Sequence, residues 1–171
     1  MALVTLLAMP ALLAMLATGC NSVDDNRIPT MPVNINLGSH ALWNTYGVSG
    51  YGNYRLFIRE LREPRNFAWT ERTATGYGGV LLISGVNPFT LEAGVPLAYD
   101  LACPVERKPD IRVQIESPEQ IPIAVCPKCG SSYDVTERGG SPLAGVALGE
   151  KVGLTRYECR ESPSGGYQIL N

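Results

Sequence analysis

Apolar residues in this chain alternate with polar ones in short runs, and nearly every run is cut off by glycine or proline. With 18 glycines and 13 prolines among 171 residues, long helices are excluded and short strands joined by turns are expected. Val33, Ile35 and Leu37 alternate with asparagines, and Tyr54, Leu56 and Ile58 share one phase. Val80 to Ile83 is a continuous apolar run, the pattern of a central strand buried on both faces. Leu97, Tyr99 and Leu101 alternate toward Cys103. Ile111, Val113 and Ile115 alternate with Arg112, Gln114 and Glu116, and Ile121, Ile123 and Val125 lead into Cys126. Leu154 to Cys159 and Tyr167 to Leu170 complete the series. The stretch from Gly38 to Asn53 reads as an irregular loop anchored by Trp43 and Tyr46, with the lone histidine, His40, on the surface. Strands at this spacing predict an all-β fold, an antiparallel β-sandwich or open barrel with two cysteine-bearing loops at strand ends.

The N-terminus carries a different message. Met1 to Gly19 is apolar or small and ends in Leu16-Ala17-Thr18-Gly19-Cys20, so residues 1–19 are expected to be a lipoprotein signal peptide, with Cys20 as the lipidation site. A membrane-spanning anchor would need about 20 apolar residues, whereas this stretch contains Pro10 and stops at Asn21. Residues 20–30 would form a lipidated polar tether and residues 31–171 a single domain. The expected location is the cell envelope, as an outer-membrane lipoprotein on its periplasmic or surface face, with the membrane as partner through the lipid on Cys20. Acidic Asp24 and Asp25 just after the cysteine hint at the surface face. Charge is nearly balanced, 14 Lys plus Arg against 16 Asp plus Glu, and no basic run marks a nucleic-acid binder.

Two cysteine boxes follow the alternating strands. The first reads Tyr99-Asp100-Leu101-Ala102-Cys103-Pro104-Val105-Glu106; the second reads Cys126-Pro127-Lys128-Cys129-Gly130-Ser131-Ser132-Tyr133-Asp134. The second box resembles the second ligand loop of Rieske iron-sulfur domains, in which cysteine, two spacers and histidine precede Gly-Ser, an aromatic residue and aspartate. Here Cys129 stands where histidine is usual. The first box resembles the other Rieske loop, with Val105 in place of its histidine. Gly145-Val146-Ala147, followed by Leu154 and Tyr157, resembles the proline-loop segment of the same family. The chain is also similar to divergent Rieske-fold envelope lipoproteins that share the first box. The resemblance runs from about Gly79 to the C-terminus and implies a Rieske-like domain. It also implies that Ser131 would hydrogen-bond a cluster sulfide, that Tyr133 would hydrogen-bond a ligand cysteine, and that Asp134 is structural.

A two-iron two-sulfur Rieske centre needs two thiolates and two imidazoles, and a chain with one histidine outside both boxes does not supply them. The leading expectation is therefore no cofactor, with Cys103, Cys126, Cys129 and Cys159 as structural thiols or disulfides in an exported chain. Two alternatives remain open. An atypical 2Fe-2S cluster could place Cys103 and Cys126 on one iron and Cys129 with Glu106 or Cys159 on the other. Zinc could bind Cys103, Cys126 and Cys129, with Cys159 or Glu106 as fourth ligand. No catalytic residue is expected: Asp100, Glu106 and Asp134 read as loop caps, and Gly76-Tyr77-Gly78-Gly79 as a turn before a strand. The functional expectation is a membrane-anchored lipoprotein whose Rieske-like site is degenerate, with a non-catalytic binding or structural role. An electron carrier with a cysteine-ligated cluster and a zinc-stabilised domain are the alternatives.

Overall fold

The computed structural model describes residues 22–117 and 120–171. The expectations for Met1 to Gly19 and for Cys20 lie outside the described residues. Among those described, no helix is long and apolar enough to cross a membrane.

The chain is mostly β, as the alternation implies, and its strands form two antiparallel sheets. The larger sheet is built from β1 (Val33–Leu37), β2 (Tyr54–Phe57), β3 (Ala74–Thr75), β4 (Val80–Val86), β5 (Ala93–Asp100), β10 (Arg156–Ser162) and β11 (Gly166–Leu170), in the order β2-β4-β5-β10-β11-β1-β3. The smaller sheet is a meander of β6 (Gln114–Glu116), β7 (Ile123–Val125), β8 (Ser132–Asp134) and β9 (Ser141–Ala144). The described residues also form two short helices, α1 (His40–Tyr46) and α2 (Val146–Glu150).

Strand periodicity explains the core. In β4, Leu81 and Ile83 point to one face and join a cluster with Leu97, Tyr99, Leu101, Val113, Tyr133 and Leu154. Val80 and Leu82 point to the other and pack with Ile35, Leu37, Phe57 and Ile169. All four β4 side chains are fully buried, each contributing roughly 2 kcal/mol of apolar burial. The expectation of a strand covered on both faces is met, with β2 and β5 paired to its sides. In β1, Val33, Ile35 and Leu37 face inward and the asparagines outward.

The topology places the cysteine boxes. β5 and β10 are hydrogen-bonded neighbours, with Tyr99 opposite Arg156 and Ala98 opposite Tyr157, yet the whole smaller sheet lies between them in sequence. The smaller sheet is thus an insert that leaves the larger one at Asp100 and returns at Thr155, where the Asp100 amide donates to the Thr155 carbonyl at 2.9 Å. A second seam joins the sheets at Gly85, which marks a register shift in the β4–β5 ladder. There the Val86 amide donates to the Thr136 carbonyl at 2.7 Å, and a Cβ on Gly85 would sit 2.3 Å from that carbonyl oxygen.

One local expectation is corrected, and two further local features go beyond the sequence reading. His40 to Tyr46 is a helix rather than an irregular loop: Ser39 caps it by accepting the Leu42 amide at 3.3 Å, and Leu42, Trp43 and Tyr46 lean on the second core cluster. Phe57, out of phase with Leu56, is fully buried, because strand β2 is covered on both faces near its end. Residues 22–30, the described part of the expected tether, are held against the domain. Asp24 forms a parallel bridge with Val152, Arg27 pairs with Glu150 at 3.4 Å, and Ile28 is buried, so this stretch is docked beside α2 from Asp24 onward. Its apolar Ile28 and backbone pairing outweigh the polar character of its neighbours.

Candidate metal centre

Each cysteine box occupies a tight turn that begins where a strand or its extension ends. Leu101 continues from β5 through its amide bond to Gly79 O, and the Cys103 amide is held by Ile111 O, both at 2.9 Å. The second turn follows β7 directly and is closed by the Cys126 amide donating to Ser131 O at 2.9 Å. Cys103 and Cys126 are fully buried and Cys129 is half-buried. Rigid strands therefore deliver the thiols to one place.

The three sulfurs of Cys103, Cys126 and Cys129 lie within 4.8 Å of one another. Cys103 Sγ is 3.7 Å from Cys129 Sγ, far beyond a disulfide bond of about 2.05 Å. All four cysteines among the described residues are free thiols; the disulfide pairing considered from the sequence is not formed. Cys159 is not part of the triad. It lies on β10 opposite Ile169 and packs against the other core cluster, because β10 belongs to the larger sheet. Burial, with Glu158's charge second, pushes its thiol up to about 12.

The thiols sit in unlike electrostatic settings. Burial pushes the Cys103 thiol up to about 12, although its sulfur accepts hydrogen bonds from the Glu106 and Val105 amides and from the Tyr133 hydroxyl. At Cys129 burial also opposes ionisation, but hydrogen bonds from the Ser131 side chain and amide, and from the neighbouring thiols, outweigh it and hold the thiol below its ordinary range. Cys129 is thus the member of the triad that ionises ahead of Cys103.

Residues of the second box bond to the thiols or to the turns beside them. Tyr133 is fully buried with its hydroxyl 3.7 Å from Cys103 Sγ. Ser131 Oγ accepts the Ala147 amide of α2 at 3.1 Å. Asp134 caps a turn by accepting the Thr136 and Glu137 amides at 3.0 and 2.8 Å. Asp100 accepts the amides of Tyr77, Gly78 and Ala102 and the Tyr157 hydroxyl. Burial pushes its carboxyl up, against those hydrogen bonds. Both carboxylates are bound into loops, as expected. Glu106 is engaged differently, with Oε2 2.5 Å from Lys128 Nζ across the two turns; the sequence carried no sign of that ion pair.

A Rieske cluster does not fit these residues. Val105 packs as an apolar residue against the core, and His40 is exposed on α1, 3.3 Å from Gly165 O in the larger sheet's far hairpin. The donor set is three thiols, suited to a thiophilic ion and poor for magnesium or calcium. Comparison with protein-family models, curated proteins and solved structures finds no match to this chain.

Proposed function

We propose that this chain is a non-catalytic, Rieske-like domain, anchored in the cell envelope through lipid on Cys20, whose cysteine triad binds one zinc-like ion that pins two loops together. One observation carries the metal reading: the convergence of Cys103, Cys126 and Cys129 within 4.8 Å, with the Cys103–Cys129 sulfurs 3.7 Å apart. Two thiolates on one tetrahedral ion at about 2.3 Å stand roughly 3.8 Å from each other. A pair at that spacing would suit one iron equally; what favours a single ion over a two-iron cluster is that all three sulfurs lie within 4.8 Å of one another, whereas a cluster would spread them over two metals. The Gly-Ser-x-Tyr-Asp frame and the two cysteine turns support the Rieske-like reading. The apolar run that ends at Cys20 supports the anchor.

The role that follows is structural. An ion held by both turns would tie the β5 exit to the β7–β8 hairpin, and its binding energy would become folding energy. At a thousandfold excess of ion over its dissociation constant, this amounts to about 4 kcal/mol. Thermal melts of the reduced protein with zinc and with chelator test this. Zinc should raise the melting temperature of wild type and leave a Cys126→Ser variant unmoved. Equal melting temperatures for wild type under both conditions would remove the metal from the account.

A further inference from the structure

The two cysteine boxes are one turn built twice. Cys103-Pro104-Val105-Glu106-Arg107 and Cys126-Pro127-Lys128-Cys129-Gly130 align residue for residue. In each, the amide of the fifth residue donates to the carbonyl of the leading cysteine: Arg107 N to Cys103 O at 2.8 Å, and Gly130 N to Cys126 O at 3.0 Å. The fifth residue has positive φ in both, 53° at Arg107 and 69° at Gly130. Both leading cysteines are fully buried, and both fourth residues are half-buried. Glu106 therefore occupies in the first turn the place that Cys129 occupies in the second.

That equivalence bears on the missing donor. A closed structural zinc site takes four ligands, and carboxylate oxygen serves at about 2.0–2.2 Å. The triad supplies three thiols from its two turns, one from the first and two from the second. The Glu106 side chain is only 16% exposed and reaches across to Lys128 of the second turn at 2.5 Å, outside the 4.8 Å group formed by the three sulfurs. Its amide is bound to the Cys103 sulfur. Cys159, the other fourth-ligand candidate, is removed to the opposite core cluster.

Resting on the reading of the triad as a metal site, we propose that Glu106 is the fourth ligand, completing a Cys3Glu centre for a thiophilic divalent cation. Lys128 is the carboxylate's partner while no ion is bound. Its side chain is 55% exposed, so its ammonium can withdraw into water when the ion takes its place. On binding, the thiols give up whatever protons they still carry and the carboxylate exchanges an ammonium for the metal.

Cobalt(II) titration of the full-length protein under reducing conditions tests the assignment, using wild type, Glu106→Gln and Glu106→Cys. Glu106→Gln should weaken cobalt affinity by roughly tenfold or more, since losing a ligand costs at least what losing an outer partner does. It should also shift the visible d–d bands and leave the thiolate charge-transfer intensity unchanged. Glu106→Cys should raise that intensity by about one third, four thiolates replacing three. No increase in Glu106→Cys means that the position does not reach the ion and overturns the assignment, whatever Glu106→Gln does. Cobalt binding by wild type would in that case leave the triad reading intact. Absence of cobalt binding by wild type overturns both.

Discussion

Cys103 and Cys129 are 26 residues apart in the chain, and their sulfurs stand 3.7 Å apart. The first belongs to the turn beyond β5 and the second to the turn after β7, so the contact exists only because the smaller sheet folds back onto the exit of the larger one. Each thiol has a different reason to be where it is. Cys103 is packed in the core beneath Tyr133, whereas Cys129 sits at the rim under the hydroxyl of Ser131.

The difference is chemically measurable. Thiolate is the reactive form, and Cys129 combines a lowered pKa with partial exposure, while Cys103 is buried and pushed up to about 12. Brief treatment of metal-free protein with iodoacetamide near neutral pH should label Cys129 first, the partly exposed Cys159 more slowly because its thiol is held neutral, and Cys103 and Cys126 only on unfolding. Peptide mapping checks the order. Early labelling of Cys103 would contradict the packing described.

Cys159 supplies a pH test away from the triad. Its thiol is raised from 9.0 to about 12 by burial, so in the unfolded chain it releases its proton first as pH rises. Above pH 9.0 the native state holds more protons than the unfolded state, and stability falls with pH until the folded value is passed. Denaturation curves of wild type and Cys159→Ala should therefore draw closer between pH 9.0 and about 12, the tyrosine contributions being common to both. A constant gap would show that burial does not hold the thiol neutral.

Asp100 and Tyr157 clamp the neck of the insert, one residue leaving the larger sheet and the other returning to it. Asp100→Ala strands the amides of Tyr77, Gly78 and Ala102 along with the Tyr157 hydroxyl. The expected loss is about 3–5 kcal/mol, as for breaking a buried charged network. Tyr157→Phe removes one hydroxyl donor and should cost about 1–2 kcal/mol. Urea denaturation orders the two; equal costs would mean that the amides find other acceptors.

Two glycines separate steric from conformational demand. A Cβ at Gly85 would sit 2.3 Å from the Thr136 carbonyl oxygen, at the seam between the sheets, so Gly85→Ala should cost several kcal/mol, on the order of the largest single-residue effects. Gly130 has φ 69° but open space around its Cβ position, and its counterpart Arg107 carries a side chain at φ 53°. Gly130→Ala should cost only about 1 kcal/mol, the left-handed penalty alone. Reversal of that order in thermal melts would contradict the register at Gly85.

Strand positions were legible where one face is buried and the other wet. Val33, Ile35 and Leu37 and the run from Val80 to Ile83 announce their strands because period-2 patterning is a direct consequence of a sheet with a core. Helix α1 was not legible: seven residues carry too little periodicity, and its stability comes from Ser39 and the packing of Trp43. The docking of residues 22–30 rests on backbone pairing between Asp24 and Val152, which no side-chain pattern encodes. The cysteine spacing offered the triad only as the alternative to structural thiols or disulfides, and Cys159 was left beside Glu106 as fourth donor because spacing does not report which sheet a strand joins. The repeat of the turn at Glu106 and Cys129 appears only when hydrogen bonds and φ values are compared.

The central claim is that three thiols converge to hold one ion. Elemental analysis and an absorption spectrum of full-length protein purified without oxygen test it most directly. The expected result is one equivalent of zinc per chain and no visible bands. Iron with acid-labile sulfide and visible charge-transfer bands, or folded protein carrying no metal and taking up none, would contradict it.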